Sequence, residues 1–389
     1  MPQAMTDAMK FCCPHCQIEL RCLLELDLEA PRMILDPVGF QLDGELESDP
    51  SGEIITVATD LPVHRVRHAQ PLNDGGSPFL HLASEMPKKF PEWISKVHAL
   101  QHLRQSQFEV AEQLVSFART ANWKMASDCL GNVFGEQISN TRETIQLTYK
   151  AFSIFYAPLL IDPPMFDYLD EYFDHLNECM ENKKPAYESL LTEWSTSHLY
   201  RGFRLKALSS FLRVLSHFDA FVVGLLFHEM PDKMRDDIGS YRIFRDDYAF
   251  VKSLYQDLFE LTSQLLIFLG NILNLSIRGD ADRYSTGETT TKKFIKQTAC
   301  NRFKILPELP LVSTLLGNVS RPMRNSIGHF SADYEPCTGN LRYDDGSHQN
   351  YIAFLGDFYS AVKSLWFILV FVEKTDVDMH RLNLKVPVA

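Results

Sequence analysis

The chain has 389 residues, 45% of them hydrophobic and 23% charged, with 27 phenylalanines and only 18 glycines. That length can bury a large core, and the composition is too apolar for an intrinsically disordered protein. The phenylalanine-rich, glycine-poor balance favours packed helices over a turn-rich all-β fold. A formal net charge of −12 argues against a protein that coats nucleic acid indiscriminately.

Residues 1–90 read as a small β module. Ile18–Leu28 alternates in part, Glu53–Thr59 is rich in β-formers, and Asp36-Pro37, Asp43-Gly44 and Asp49-Pro-Ser-Gly52 supply turns between them. Within this module, Phe11-Cys-Cys-Pro-His-Cys16 contains Cys13-Pro-His-Cys16, and two chemistries compete for it. A thioredoxin-like redox centre needs a strand before the motif and a helix after it, with the thiols tuned at the helix N-terminus. Here only a dozen residues precede Cys13 and a β-like run follows. The other reading is half of a zinc ribbon: Cys12, Cys22, and His64 with His68 of His-Arg-Val-Arg-His are candidates to complete it, and Cys13, Cys16, His64 and His68 together make a chemically sound four-ligand structural zinc site. A knuckle that no longer holds metal stays open beside it.

Residues 91–200 are expected to be helical. Trp93–Ala121 reads as a helical pair, and Asn122–Ala157 as one longer helical stretch ended by Pro158. Phe166–Glu181 and Tyr187–Tyr200 follow, with breaks at Lys183-Lys-Pro185 and around Gly202. Residues 201–389 are expected to form a helical bundle. Its parts are a helix over Leu205–Met230 closed by Pro231, a long helix over Asp247–Leu275, and a basic helix over Thr290–Lys304 capped at the Thr289-Thr-Thr291 run. A helix over Leu311–Phe330, a β-hairpin over Tyr334–Asn350 and a closing helix over Tyr351–Val372 complete it.

Met1–Lys10 is polar and no apolar stretch of signal-peptide type follows, so the eight cysteines are expected to be reduced thiols in a cytoplasmic chain. The longest apolar runs, Phe221–Phe227, Leu265–Leu269 and Leu365–Val372, are each shorter than a bilayer requires. They are expected to be buried core, and no membrane partner is expected.

The stretch that carries chemistry is Arg321-Pro-Met-Arg-Asn-Ser-Ile-Gly-His329-Phe330. Asn325 and His329 are four apart and share a helix face, with Arg324 one step round. Imidazole titrates nearest neutral pH and can move protons, while a guanidinium fork suits the charge that develops on a phosphate. Gly328 allows close approach beside His329, and no acid lies within a helical turn of Arg321 or Arg324. Between Arg278 and Phe330, nine bases (278, 283, 292, 293, 296, 302, 304, 321 and 324) face four acids, so nine minus four leaves +5. Lys292, Lys293, Lys296 and Arg321 are the candidate contacts to RNA phosphates. A second, looser Arg–His spacing, Arg342-Tyr-Asp-Asp-Gly-Ser-His348, is set aside because Asp344–Ser347 is turn chemistry with adjacent carboxylates.

Arg324-Asn-Ser-Ile-Gly-His329 resembles the active motif of the HEPN superfamily of small helical ribonucleases. The resemblance spans roughly the last half of the chain, from Leu205 to Phe371. It implies a mainly α protein, with a C-terminal HEPN-like bundle behind a small N-terminal β or zinc-ribbon-like module. It also implies metal-independent endoribonuclease activity, with Arg324, Asn325 and His329 as the catalytic set and no cofactor for catalysis. The reaction would be attack of a ribose 2′-hydroxyl on the adjacent phosphate, leaving a 2′,3′-cyclic phosphate and a 5′-hydroxyl. One histidine per chain must otherwise serve as both acid and base, so a homodimer through the C-terminal bundle is expected. A regulatory protein partner and a role as toxin or antiviral defence effector follow from the same resemblance. The alternative is a non-catalytic helical interaction or dimerisation module.

Overall fold

A computed structural model describes residues 5–12, 19–27, 32–38, 63–64, 86–135, 138, 140–160, 164–229, 241–243, 247–284, 289–299, 301–302, 311–312, 333–335, 338–343 and 345–389. Among them the chain is mostly helical. At the N-terminus β1 (Met5–Cys12), β2 (Glu19–Asp27) and β3 (Arg32–Val38) form an antiparallel sheet in the order β1-β2-β3. The register pairs Cys12 with Glu19 and Asp27 with Arg32, so residues 13–18 link two paired strands. β2 coincides with the expected strand. β1 falls where the sequence reads as merely polar, because Asp7 and Lys10 interrupt its apolar alternation. A two-residue strand, β4 (Val63–His64), pairs with β5 (Tyr241–Arg242), far away in sequence. The strand expected over Glu53–Thr59 lies outside the described residues.

The expected helical pair is α1 (Lys89–Ser106) and α2 (Phe108–Arg119). The single stretch expected over Asn122–Ala157 is two helices, α3 (Trp123–Phe134) and α4 (Thr141–Tyr156). Gly135 ends α3 with a left-handed φ of 71° and donates its N–H to the Gly131 carbonyl. Asn140 opens α4 by accepting from the Glu143 N–H at 2.8 Å, while its own amide donates to the Glu143 carboxylate at 3.2 Å. α5 (Pro164–Asn182), α6 (Lys184–Thr196) and α7 (His198–Ser216) follow. The break expected near Gly202 is at Ser197, whose hydroxyl accepts from the Tyr200 N–H. Gly202 itself sits inside α7 with open space where a Cβ would be.

The helix expected over Leu205–Met230 is also interrupted. α7 stops at Ser216, a 3-10 turn covers Phe218–Ala220, and α8 (Val223–Glu229) resumes. α9 (Tyr248–Arg278) and α11 (Tyr351–Arg381) are the longest helices, with the short α10 (Thr291–Ile295) between them in sequence. Where a hairpin was expected there are three antiparallel strands, β6 (Asp333–Glu335), β7 (Asn340–Arg342) and β8 (His348–Asn350).

The chain divides into two compact units, each assembled from three separated stretches. The first comprises Met1–Ser95, Asp219–Ser253 and Asn325–Tyr359; the second comprises Lys96–Phe218, Leu254–Arg324 and Ser360–Ala389. In the first unit, Trp93 donates its indole N–H to the Val222 carbonyl at 3.0 Å, and Phe221 packs edge-on against Phe358. Gly224 is required there, because a Cβ would overlap the Leu355 carbonyl. The β6–β8 sheet is fastened through Tyr334, which packs on Tyr248 and Tyr351 and donates to the Ile243 carbonyl at 3.1 Å.

The second unit is organised around a fully buried ion pair. Arg204 of α7 and Asp376 of α11 are both 0% exposed. The Arg204 Nε and Nη2 fork reaches both Asp376 oxygens at 2.8–3.0 Å. The remaining guanidinium donors go to the Ala118 carbonyl at 2.7 Å, at the C-terminal end of α2, and to the Pro387 carbonyl at 3.2 Å. Tyr149 of α4 donates to Asp376 at 2.8 Å. Burial alone would lower the Arg204 pKa, and the adjacent Asp376 carboxylate more than reverses that, so the guanidinium stays charged. Two more hydroxyls cross-link the same helices: Tyr156 donates to the Val362 carbonyl at 2.6 Å and Tyr187 to Asp378 at 2.8 Å. Around them an aromatic cluster closes the core. Trp194 stacks on Tyr200 and meets Phe268 edge-on, while Phe203 and Phe371 fill in beside them. Buried side chains of this size each contribute roughly 1.5–3 kcal/mol.

By length and composition alone, α9 and α11 could each cross a membrane. The core helices of a globular protein meet the same criterion, and the most apolar windows of these two are 83% and 89% buried within the protein. Their individual apolar runs are short, but the helices that contain them are not.

Removing one member of the buried pair leaves the other charge without its partner, so Arg204→Ala is expected to lower unfolding stability by about 3–5 kcal/mol. Replacing both (Arg204→Met with Asp376→Leu) should recover a large part of that loss. Urea unfolding of the three proteins measures this, and a single variant as stable as the wild type contradicts the assignment.

Candidate functional site

Of the segment expected to form the motif helix, residues 311–330, the structure describes residues 311–312. Leu311 and Val312 are helical and buried, and the Leu311 N–H donates to the Glu171 carboxylate of α5 at 3.1 Å. Arg321, Arg324, Asn325 and His329 lie outside the described residues. So do Cys13, Cys16 and His68, while His64 appears as the backbone of β4 opposite Tyr241.

The basic helix expected over Thr290–Lys304 is described in part: α10 ends at Ile295, and helix resumes at Ala299. Thr290 caps α10, its hydroxyl accepting from the Lys293 N–H at 3.4 Å, as the threonine run implied. The helix is pinned on its inner side. Phe294 is fully buried and stacks on Tyr284 with ring centres 4.8 Å apart, and the Thr291 hydroxyl accepts from the Asn271 amide of α9 at 2.8 Å. With Phe294 turned inward, Lys292, Lys293 and Lys296 are all exposed.

Other bases of this segment have different work. Arg302 donates to the carbonyls of Ile295 and Phe294 and to the Ser263 hydroxyl, holding the end of the basic segment against α9. Burial lowers its pKa. Arg278 donates to the Asn274 side chain at 2.8 Å. The sequence sum of +5 counts these arginines equally with the lysines, whereas exposure separates them. A lysine pattern beside a single inward phenylalanine is the signal that distinguishes the two sets.

The looser Arg342–His348 spacing falls on paired strands, with Arg342 directly opposite His348. Arg342 lies 3.4 Å from the Glu335 carboxylate. Between them the chain turns at Gly346, which has a φ of 78°, and Asp345 accepts from the Ser347 N–H at 2.9 Å. The turn chemistry expected there is present.

A second feature was not anticipated from sequence. In the second unit, α4, α5 and the end of α11 enclose a cleft of about 340 Å³. Leu176, Met180 and Val377 form apolar walls, and Arg142, Lys374 and Arg381 bring three cations to it. Lys374 also lies over the Phe173 ring, 5.4 Å from its centre. The acid in the lining is Asp378, which accepts from Tyr187 and lies 4.0 Å from Arg381. Burial pushes the Asp378 pKa up, against the Tyr187 hydrogen bond and the three nearby cations, which pull it down.

Among the described residues no group of three or more His, Cys, Asp and Glu side chains is placed to hold a metal ion. Cys179 is fully buried, donates to the Ile272 carbonyl at 3.5 Å, and is pushed up to about 12 by burial. It is a packing residue. No family model matches the chain, and comparison with curated proteins and with solved structures gave no significant match.

If the exposed face of α10 meets nucleic acid, replacing Lys292, Lys293 and Lys296 by alanine should weaken binding to single-stranded RNA equally across sequences. The slope of log affinity against log salt should flatten by about 2. An unchanged slope in a fluorescence-anisotropy titration removes these lysines from the interface.

Proposed function

We propose that this chain is a metal-independent endoribonuclease of the HEPN type. The observation that carries the reading is the sequence Arg324-Asn-Ser-Ile-Gly-His329, and the exposed lysines of α10 shortly before it support it. In this reading residues 201–389 form a HEPN-like bundle. Two copies of the chain pair through it, so that two histidines share one groove. His329 moves the proton of the ribose 2′-hydroxyl or of the departing 5′-oxygen, depending on which copy it belongs to. Arg324 balances the charge that builds on the phosphate as the 2′-oxygen attacks. Asn325, on the same helix face as His329, orients the phosphate or the imidazole. The products are a 2′,3′-cyclic phosphate and a 5′-hydroxyl. A cytoplasmic toxin or antiviral effector, restrained by a regulatory partner, is the biological role that fits such an activity.

A structural zinc ion belongs to the same proposal. Two thiolates and two imidazoles suit a closed tetrahedral site, and Cys13 and Cys16 fall in the link between the paired strands β1 and β2. Zinc bound by Cys13, Cys16, His64 and His68 would hold the N-terminal module together and take no part in cleavage. One zinc per chain in the purified protein, lost in Cys13→Ser, is the expected result; equal zinc in both proteins rules the site out.

A second reading, an interaction module without activity, draws on Met125 and Val133 of α3. These apolar side chains are 45% and 47% exposed on one helix face.

Cleavage of a mixed RNA substrate in the presence of EDTA separates the two. The nuclease reading expects cutting to persist with the chelator. It also expects Arg324→Ala and His329→Ala each to slow cutting by about 10²-fold or more, with melting temperatures unchanged. Absence of cleavage by the wild type, loss of cleavage in EDTA, or variants that cut at the wild-type rate would each overturn it.

A further inference from the structure

The cleft between α4, α5 and the end of α11 has a combination of features that packing alone does not require. Leu176, Met180, Val377 and the Phe173 ring give it apolar surface, and Gln146 and Asn177 add amides. Three cationic side chains from two helices converge on it: Arg142 from α4, and Lys374 and Arg381 from α11. Bringing like charges together is unfavourable unless an anion lies among them. The acids nearby do not balance them. Asp378, which accepts from Tyr187, lies 4.0 Å from Arg381, and Glu373 lies 3.6 Å from Lys374. Counting both acids against the three cations still leaves an excess of +1. Arg142 is exposed and makes no ion pair among the described residues. The volume falls at the small end of the range for ligand clefts, which are typically apolar with a few polar groups that fix orientation.

We infer that this cleft binds a small organic anion, a single phosphate or carboxylate headgroup carried on a compact apolar body. The headgroup meets the fork of Arg142 and the outer nitrogens of Arg381, where bidentate contact is available. Lys374, held over Phe173, adds a point charge at the rim. The apolar body lies against Leu176 and Met180 of α5 and Val377 of α11. The inference concerns a different part of the chain from the Arg324–His329 motif and stands independently of the nuclease reading.

Isothermal titration of the full-length protein with phenyl phosphate, benzoate, inorganic phosphate and phenol tests the site. Phenyl phosphate or benzoate should bind about tenfold or more tighter than inorganic phosphate and phenol, and the stronger of the two identifies the headgroup. Arg142→Gln and Arg381→Gln should each weaken that ligand about tenfold while the melting temperature holds. Arg381 lies near the partly buried Asp378, so if its variant melts early, the exposed Arg142→Gln decides. Binding of the ring-bearing anions no tighter than inorganic phosphate would mean diffuse surface charge and would overturn the inference. So would full-strength binding by Arg142→Gln.

Discussion

The second unit depends on one enclosed charge pair. Arg204 and Asp376 have no access to water, and two charges in that position are tolerated only when every strong donor and acceptor has a partner. That requirement recruits distant parts of the chain. The guanidinium needs acceptors beyond Asp376 and finds them at the Ala118 carbonyl and at Pro387 near the C-terminal end of the described chain. The carboxylate takes a further donor from Tyr149. The end of α2, the middle of α4, α7, α11 and the terminal segment are thereby held at one point. Ala389 adds a backbone bond to the Arg119 carbonyl at 3.1 Å.

The same constraint shapes α11. Its polar C-terminal third looks from composition like a helix that should stop near Val372. It continues to Arg381 because its acids have assigned partners. Asp376 and Asp378 are two apart, and so about 200° apart around the helix axis. One faces Arg204 and Tyr149 in the core; the other faces Tyr187 and the cleft with its cations. A single stretch of helix therefore separates a fully enclosed electrostatic centre from a carboxylate at the edge of a cation-lined cleft. Charge on its own does not make a site, and access for solvent and ligand divides the two cases.

Arginines and lysines sort by the same rule. Arg204 and Arg302 have their donors directed to carbonyls and carboxylates inside the fold, where a planar fork with several donors is an advantage. The lysines of α10 point to solvent, where a flexible stem and a hydrated ammonium lose little. Among the described residues of the basic segment, these lysines and Arg283 are the exposed bases.

Local chemistry was legible in the sequence. The helical pair at residues 89–119, the threonine cap of α10 and the turn at Gly346 all follow from caps, breakers and periodicity, which act over a few residues. The Arg324–His329 motif and the Cys13–Cys16 pair are equally sequence-level features. What sequence could not supply is anything set by meetings between distant segments. The need for glycine at position 224 and the continuation of α11 past Val372 are examples. So are the pairing of Val63–His64 with Tyr241–Arg242 and the meeting of Arg204 with Asp376. Those outcomes belong to the tertiary structure, because a buried charge, a close backbone approach or a shared cleft acquires its partner only when the chain has folded.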